Sequence, residues 1–349
     1  MSTTDQSRTG APAFRAGPRR TIGGAQESLI REDLLRPGQE LPLVIRPAVA
    51  GLDPLAWASG NRELIEGRLR KHGAILFRGF PIPTVETFHA FVEAAVGELM
   101  EYRERSSPRH EEGERVYTST DYPADQRIFL HNEHSYARRF PLKLFFFCLT
   151  PAEEGGQTPI ADTRRIFQRV DPAIRDRFAE KGWRYVRNFG DGFGLPWQTV
   201  FQTSDPREVE EYCARNGIEC EWKPGNRLRT WQTRPAIAVH PRTGEETWFN
   251  HATFFHVTTL PREMREALLA DFAEGDLPNN TYYGDGSPIE PETMEALRAA
   301  YQAETVMFDW EAGDVLLVDN MLASHARESF RGPRRVLVAM ADPYERTDL

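Results

Sequence analysis

The sequence predicts a mainly β fold with flanking helices, in which short strands pack as a jelly-roll sandwich. Short apolar or alternating runs recur along the 349 residues, and Gly, Pro and Asp turn signals separate them. No internal repeat and no glycine fingerprint of a dinucleotide-binding unit interrupts this pattern. The chain therefore fits one large β unit with insertions, because such units commonly exceed ordinary domain length.

The strands and helices are predicted from apolar periodicity and from their end signals. Strands are expected at 75–80, 142–149, 235–240, 248–250, 315–318 and 336–340. Leu64, Ile65 and Leu69 have helical spacing and predict a helix over 61–71 that ends before Gly73. Further helices are expected at 205–217, 261–274 and 292–302, the first of them capped by Asp205 and followed by Pro206.

Composition and charge exclude several classes of protein. A net charge of −9 argues against nucleic-acid binding, which requires a basic surface. The longest apolar run, 144–149, is too short to cross a bilayer and suits a buried strand. Cys148, Cys213 and Cys220 lack metal-site spacing, which indicates a reduced, cytoplasmic protein. Residues 1–26 lack an apolar signal core and predict a disordered tail, which leaves 27–349 as a single domain.

Two histidines and one carboxylate are the candidate metal ligands. His131 and Glu133 are two residues apart, so a strand would point both side chains to the same face. His325 follows the apolar run 315–318 and is expected at the mouth of a loop. His-x-Glu alone is a weak motif in a chain with nine histidines. With His325 it matches the facial triad of non-haem Fe(II) oxygenases, which leaves coordination positions open for co-substrate and oxygen.

With these residues in place, the chain resembles the taurine dioxygenase-like (clavaminate synthase-like) branch of the Fe(II)/2-oxoglutarate-dependent dioxygenases. The resemblance covers most of the chain through four ordered motifs: GAILFRGF at 73–80, LHNEHSY at 130–136, GGQTPIAD at 155–162, and the stretch 313–340. The run VYTSTDYP at 116–123 is most similar to syringomycin aspartyl hydroxylase-type enzymes. Many members carry Asp where this chain has Glu133, whose extra methylene must be accommodated.

The resemblance implies a double-stranded β-helix core, with a helical and loop insertion at about 188–241 covering the active site. It also implies that His131, Glu133 and His325 bind Fe(II) and that 2-oxoglutarate and O2 are co-substrates. Thr158 and one of two adjacent arginines would bind the far carboxylate of 2-oxoglutarate. Arg334 and Arg335 point to opposite faces of a strand and both faces are apolar, so the pattern cannot choose between them. The family's paired arginines favour Arg335.

The substrate residues are less clearly marked. Candidate binding residues line the segments beside the ligands: Tyr117, Thr118, Ser119, Asn132, Ser135, Arg234, Asn250 and Arg327. Asn132 could instead support a ligand through a hydrogen bond, and His134 is expected to be a neighbour of the site and not a fourth ligand. His251 and His256 flank two phenylalanines and are expected to pack beside the pocket.

Two arginine clusters allow two interpretations. One comprises Arg103, Arg105 and Arg109; the other comprises Arg327, Arg331, Arg334 and Arg335. They are either solvated surfaces or recognition sites for carboxylates or for the phosphopantetheine arm of a carrier protein.

The expected reaction is hydroxylation of an unactivated carbon of an amino acid or amino-acid-derived substrate, with release of succinate and CO2. That substrate is either a free small molecule or an aminoacyl group tethered to a carrier protein, and the pathway is expected to be antibiotic or other secondary metabolism. Family halogenases replace the carboxylate ligand by a small residue, so Glu133 favours hydroxylation or desaturation. A sulfonate-type dioxygenase is the alternative within the family, and a β-sandwich binding module without iron is the alternative outside it. The sequence leaves the oligomeric state open, with a homo-oligomer as one alternative.

Overall fold

A computed structural model describes residues 29–97, 99–100, 111–113, 115–118, 122–190, 192 and 194–346. The predicted tail, the arginine cluster at 103–109 and the candidate substrate residue Ser119 lie outside these ranges. None of the helices in the described part of the chain is long and apolar enough to cross a membrane.

The described residues form short strands throughout the chain. They are β1 (Ile30–Arg36), β2 (Gln39–Pro47), β3 (Ala74–Phe77), β4 (Glu111–Gly113), β5 (Val116–Thr118), β6 (Ile128–His131), β7 (Arg139–Thr150), β8 (Glu154–Gly155), β9 (Ile160–Asp162), β10 (Trp183–Phe189), β11 (Glu219–Lys223), β12 (Arg227–Arg234), β13 (Ile237–Val239), β14 (Glu246–Trp248), β15 (Asn279–Tyr283), β16 (Thr305–Val306), β17 (Val315–Asp319), β18 (Ala323–Arg327), β19 (Phe330–Arg331) and β20 (Arg335–Glu345). Each of the six predicted strands overlaps one of these.

Helices lie between the strands, and several of them begin at a side-chain cap. They are α1 (Pro54–Gly60), α2 (Arg62–His72), α3 (Val85–Val96), α4 (Thr163–Arg169), α5 (Pro172–Lys181), α6 (Trp197–Phe201), α7 (Pro206–Arg215), α8 (Ala252–Phe255), α9 (Arg262–Asp271) and α10 (Pro291–Ala303). The predicted helices correspond to α2, α7, α9 and α10. Asp205 accepts a hydrogen bond from the backbone N–H of Arg207 at 2.9 Å, and Gly73, with φ of 75°, ends α2.

Two sheets position the candidate site. The larger has the strand order β1-β2-β3-β17-β7-β20-β5-β4, and the smaller has the order β16-β9-β18-β6. Alternation along β7 sends Phe146 towards the apolar cluster shared with β9 and β18 of the smaller sheet, and Phe145 and Phe147 to the opposite face. The fold is therefore mainly β, as expected.

Helices α1 to α3 cover the opposite face of the larger sheet. Phe88 of α3 stacks on Phe147 with ring centroids 4.9 Å apart, and both rings are fully buried. Burial of such a ring contributes roughly 1.5–3 kcal/mol, so this layer stabilises the sheet that carries part of the site.

The segment 188–241 is more regular than the predicted helical and loop insertion. Strands β11 and β12 join β10 and β15 in a separate four-stranded sheet. Trp197, Val209 and Leu228 form part of its own apolar core. This packing explains the difference, because the segment buries its apolar residues on one another.

Candidate metal centre and active site

His131 and His325 lie opposite each other on neighbouring strands of the smaller sheet. His131 ends β6, His325 lies in the middle of β18, and the antiparallel register pairs these two residues directly. Their ring centroids are 4.3 Å apart. The expectation that His325 lies at the mouth of a loop is wrong, because residues 323–327 form a strand that pairs with both β6 and β9.

Glu133 lies in a turn after β6, and not on the strand that its spacing from His131 suggested. Its backbone N–H donates to Oδ1 of Asn320 at 2.7 Å, and Nδ2 of Asn320 donates to its carbonyl oxygen at 2.8 Å. The Asn320 side chain therefore replaces the strand partner that Glu133 lacks. These two bonds fix the backbone position from which the Glu133 side chain extends.

The three side chains can hold one metal ion. One ligand atom from each of His131, Glu133 and His325 lies within 4.8 Å of the others, and all three residues are buried. Oε2 of Glu133 is 3.9 Å from Nε2 of His325. Nδ1 of His131 is 2.9 Å from the carbonyl oxygen of Phe129, to which it donates, so Nε2 remains as the ligand atom. Two imidazole nitrogens and one carboxylate fit Fe(II) and leave positions for co-substrate.

His134 is a neighbour of the carboxylate ligand. Its Nε2 atom is 3.4 Å from Oε1 of Glu133, on the carboxylate oxygen other than the one near His325. Its backbone φ of 56° is in the left-handed region, which turns the chain away from the strand direction after Glu133. His134 therefore lies directly beside Glu133, the position of a neighbour of the site that the sequence analysis expected.

A narrow cavity beside the histidines is lined by Arg334 and not by Arg335. Its lining comprises Ile128, His131, Phe146, Thr158, His325, Ala326, Arg327, Arg334, Val336 and Val338. Arg335 begins β20 as an exposed residue, so the preference for Arg335 as the co-substrate arginine is not supported by the geometry. Arg334 instead shares its face with Val336 and Val338, which line the same cavity, because alternate residues along an extended chain point the same way.

Arg334 is held at this cavity by its neighbours. Its Nε donates to the carbonyl oxygen of Gly156 at 2.9 Å. A Cβ atom at Gly156 would lie 2.9 Å from Cδ of Arg334, and Gly156 has φ of 71°, so only glycine fits there. Burial first, and then the charge of Arg327, lowers the pKa of Arg334 to about 10. Two buried guanidinium groups at one cavity favour an anionic ligand.

A second, larger cavity opens over the ligands, with a volume of about 620 Å³. His131 and Glu133 lie at its base, and His251, Phe254 and Phe255 form an aromatic wall. The Phe254 ring is 4.7 Å from the His131 ring. Burial, together with the charge of His131, lowers the pKa of His251 well below its usual range. Residues 122–129 form much of the rest of the lining, whereas 188–241 contributes none of the lining residues among those described.

Three predicted substrate residues bind the protein's own backbone. Arg234 donates to the carbonyl oxygens of Tyr136, Asn216 and Gly217. Asn250 donates to the carbonyl oxygen of Ala236 and accepts from the backbone N–H of Ala252, and Asn132 donates to the carbonyl oxygen of Asn320 at 2.6 Å. Their polar groups hold the fold in place, so the substrate role predicted for them is not supported.

The remaining predicted substrate residues differ in position. Tyr117 pairs with Val338 and joins the apolar cluster on the cavity side of the larger sheet, whereas Thr118 alternates to the opposite face. Ser135 is fully buried and its Oγ is 2.6 Å from Nδ1 of His251. Arg327 lines the narrow cavity and donates to the carbonyl oxygens of Tyr122, Pro123 and Gln126.

Sequence reasoning missed two residues that support the site. Asn320 holds Glu133, and Trp310 donates from Nε1 to Oγ1 of Thr158 at 3.1 Å. Both belong to the stretch 310–320 that pointed to His325, but a periodic pattern does not reveal hydrogen bonds to distant segments.

Comparison with known proteins agrees with this geometry. The model of the family described as "Taurine catabolism dioxygenase TauD, TfdA family" matches residues 37–340. The dapdiamide synthesis protein DdaC of Enterobacter agglomerans is 43% identical over 279 residues, covering 80% of this chain and 85% of the relative. A clavaminate synthase-like protein of Arabidopsis thaliana is 30% identical over 292 residues, covering 80% of this chain and 84% of the relative.

Solved structures show the same fold. The crystal structure of PvcB from Pseudomonas aeruginosa has a TM-score of 0.53 and 17% identity, covering 93% of this chain and 94% of that chain. The matched residues include every candidate ligand and both arginines of the narrow cavity. With a family model that spans most of the chain and a relative at 43% identity, the chain belongs to the TauD, TfdA family of dioxygenases.

Proposed function

We propose that this dioxygenase, which uses Fe(II), 2-oxoglutarate and O2, hydroxylates an unactivated carbon of an amino acid or amino-acid-derived substrate in a biosynthetic pathway. The observation that carries the proposal is the convergence of His131, Glu133 and His325 at the base of an open cavity. The relative named as a dapdiamide synthesis protein supports a biosynthetic role. The larger sheet and the smaller sheet would form the double-stranded β-helix core of the family.

We assign the co-substrate to the narrow cavity. The far carboxylate of 2-oxoglutarate would be bound by the guanidinium of Arg334 and the hydroxyl of Thr158. Both residues line the same cavity as His131 and His325. The Arg334 guanidinium is largely buried and is repelled by the charge of Arg327. A bound carboxylate would offset both the cost of burial and the cost of this repulsion. Arg334 thus takes the role that the family resemblance favoured for Arg335.

The bound iron and co-substrate would supply oxidative decarboxylation of 2-oxoglutarate to succinate and CO2, with the second oxygen atom of O2 inserted into a substrate C–H bond. The chain's own residues orient the substrate and exclude water. The aromatic wall of His251, Phe254 and Phe255 favours an apolar reacting segment next to His131. Asp125 and Arg127 lie at the same cavity and suit the polar end of an amino-acid-derived substrate.

The first experiment tests the metal site. Wild-type protein is titrated with Fe(II) and then 2-oxoglutarate without oxygen, and the change in visible absorbance is followed. We expect an absorbance change for wild type and none for His325→Ala, which removes one ligand. His72→Ala is the matched control, since His72 is also buried but its Nδ1 bonds to the carbonyl oxygen of Glu40 at 2.8 Å. A normal response from His325→Ala would refute the proposal.

The second experiment identifies the substrate class. Free amino acids, sulfonates and carrier-bound aminoacyl groups are incubated with enzyme, Fe(II), 2-oxoglutarate and O2. Mass spectrometry then measures the gain of one oxygen atom or the loss of two hydrogens. A gain of oxygen in an amino acid or aminoacyl group is the expected result, and turnover of sulfonates alone would overturn the assignment.

A further inference from the structure

Trp310 connects the loop before β17 to the co-substrate residue Thr158. The Trp310 ring is buried, packs on Phe308 at a centroid distance of 5.1 Å, and donates from Nε1 to Oγ1 of Thr158 at 3.1 Å. An indole N–H can only donate, so Thr158 must be the acceptor of this bond.

Arg334 is the second hydrogen-bond donor to the Thr158 hydroxyl oxygen. Nη2 of Arg334 lies 3.5 Å from Oγ1 of Thr158, a longer and weaker contact than the bond from Trp310. A hydroxyl has two lone pairs and one proton. With both lone pairs facing donors, the hydroxyl proton is the only group that Thr158 has left to offer.

No protein acceptor for that proton is present among the described residues. Thr158 is 2% exposed and its hydroxyl has only the two donor contacts just described. A buried hydroxyl without an acceptor is costly, so the proton is available to an incoming group. Because Thr158 and Arg334 line the same cavity, both would donate to that group.

We propose that Trp310 is a positioning residue that fixes the Thr158 hydroxyl as a donor, so that Thr158 and Arg334 together select a ligand with a carboxylate at this end. The inference rests on the proposed binding of 2-oxoglutarate. It assigns to Trp310 an effect on co-substrate affinity and selectivity without contact with the reacting atoms.

The test compares binding of 2-oxoglutarate with binding of 2-oxobutyrate, a 2-oxo acid that lacks the far carboxylate. Trp310→Phe keeps a ring beside Phe308 and removes the N–H. Dissociation constants are measured by anaerobic titration of the Fe(II)-loaded protein. We expect roughly 3–10-fold weaker binding of 2-oxoglutarate, the effect of one hydrogen bond, and an unchanged constant for 2-oxobutyrate.

A double-mutant cycle separates positioning from general damage. Thr158→Val removes the hydroxyl, so adding Trp310→Phe to it should cause no further loss. Trp197→Phe is the matched control, because Trp197 of α6 is buried in a separate apolar cluster and donates from Nε1 to the carbonyl oxygen of Asn226 at 3.2 Å. It should bind 2-oxoglutarate like wild type.

The outcomes distinguish this inference from the proposed function. No response of wild type to 2-oxoglutarate would refute the function itself. A wild-type response with Trp310→Phe within twofold, or with additive losses in the cycle, would refute the role of Trp310. If Trp310→Phe does not fold, Trp310→His, which retains a ring N–H, is tested in its place. Its dissociation constant for 2-oxoglutarate should stay within about twofold of the wild-type value. An equal loss of affinity for both 2-oxo acids would overturn the proposal.

Discussion

Asn320 and Glu133 are joined by reciprocal hydrogen bonds of 2.7 and 2.8 Å between the amide side chain of one and the backbone of the other. Asn320 also donates to the carbonyl oxygen of Pro141 at 2.8 Å and is fully buried. The residue lies between β17 and β18, so it links the turn that carries Glu133 to the strand that carries His325.

Removal of this link should weaken metal binding. We expect Asn320→Ala to lower Fe(II) affinity by roughly 10–100-fold, as is typical for residues that orient metal ligands. Competition with a metal-sensitive chelating dye measures the change. Asn188→Ala is the control, because Asn188 of β10 is also buried and donates to the backbone carbonyl oxygens of Gly275 and Leu277. It should reduce stability and leave Fe(II) affinity unchanged; equal affinity losses would contradict the prediction.

The two adjacent arginines should respond differently to substitution. Arg334→Ala should raise the KM for 2-oxoglutarate by at least about 30-fold, since it leaves a buried carboxylate without its cation. Arg335 is exposed at the start of β20, so Arg335→Ala should change the KM for 2-oxoglutarate by less than about twofold. Steady-state kinetics of succinate formation measure both. A larger rise in KM for Arg335→Ala than for Arg334→Ala would instead support Arg335, the arginine that the family resemblance favoured.

Arg327 should keep residues 122–129, which line the larger cavity, well ordered. Its guanidinium donates to three carbonyl oxygens between Tyr122 and Gln126 at 2.6–2.8 Å. In Arg327→Met these carbonyls lose their donors, so amide hydrogen exchange over 122–129 should accelerate by at least about tenfold. Exchange in β10 is the internal reference and should not change. Protection that persists over 122–129 would count against this role.

An ionic cluster away from the site predicts a pH dependence of stability. Lys143 is 2.7 Å from Glu66 and 2.9 Å from Asp342, and Arg242 is 2.7 Å from Glu66. Burial raises the pKa of Glu66, but the hydrogen bonds and charges of Lys143 and Arg242 outweigh it and lower the pKa to about 2.

A carboxylate with a lowered pKa stabilises the fold above its unfolded pKa, and this stabilisation is lost as pH falls towards the folded value. Glu66→Gln should therefore reduce the free energy of unfolding by about 1–3 kcal/mol at pH 7, and the difference from wild type should shrink between pH 4.5 and about 2. Urea unfolding at several pH values measures it. Glu32→Gln removes an exposed pair with Arg68 and should change stability little at any pH. A difference that grows with acidity would be the wrong sign.

The sequence predicted the parts of the structure that depend on local periodicity and caps. The apolar run around Phe146 became a buried strand, and Asp205 with Pro206 started α7. Helix α3 was not predicted, although Thr84 caps it and Phe88, Phe91, Val92 and Ala95 form its buried face. That helix shows helical spacing in the sequence and was detectable.

Other features could not be predicted because they depend on distant contacts. Glu133 shares a face with His131 without a strand, because Asn320, far along the chain, supplies the backbone partners. Arg334 lies at the cavity with Val336 and Val338, but Leu337 and Ala339 make the opposite face equally apolar, so alternation alone could not choose between the two arginines. Arg234 has a charged side chain of the kind that binds ligands, but it donates hydrogen bonds to backbone carbonyl oxygens of its own chain. Alternation along one segment contains no information about these partners.

The direct pairing of His131 with His325 makes the length of the connection between β17 and β18 a determinant of catalysis. Insertion or deletion of a single residue at 320–322 would move β18 by one position and rotate the His325 imidazole to the far side of its sheet. Chimaeras assembled from relatives should therefore be joined elsewhere, and libraries that vary loop size should keep the connection between β17 and β18 at its natural length.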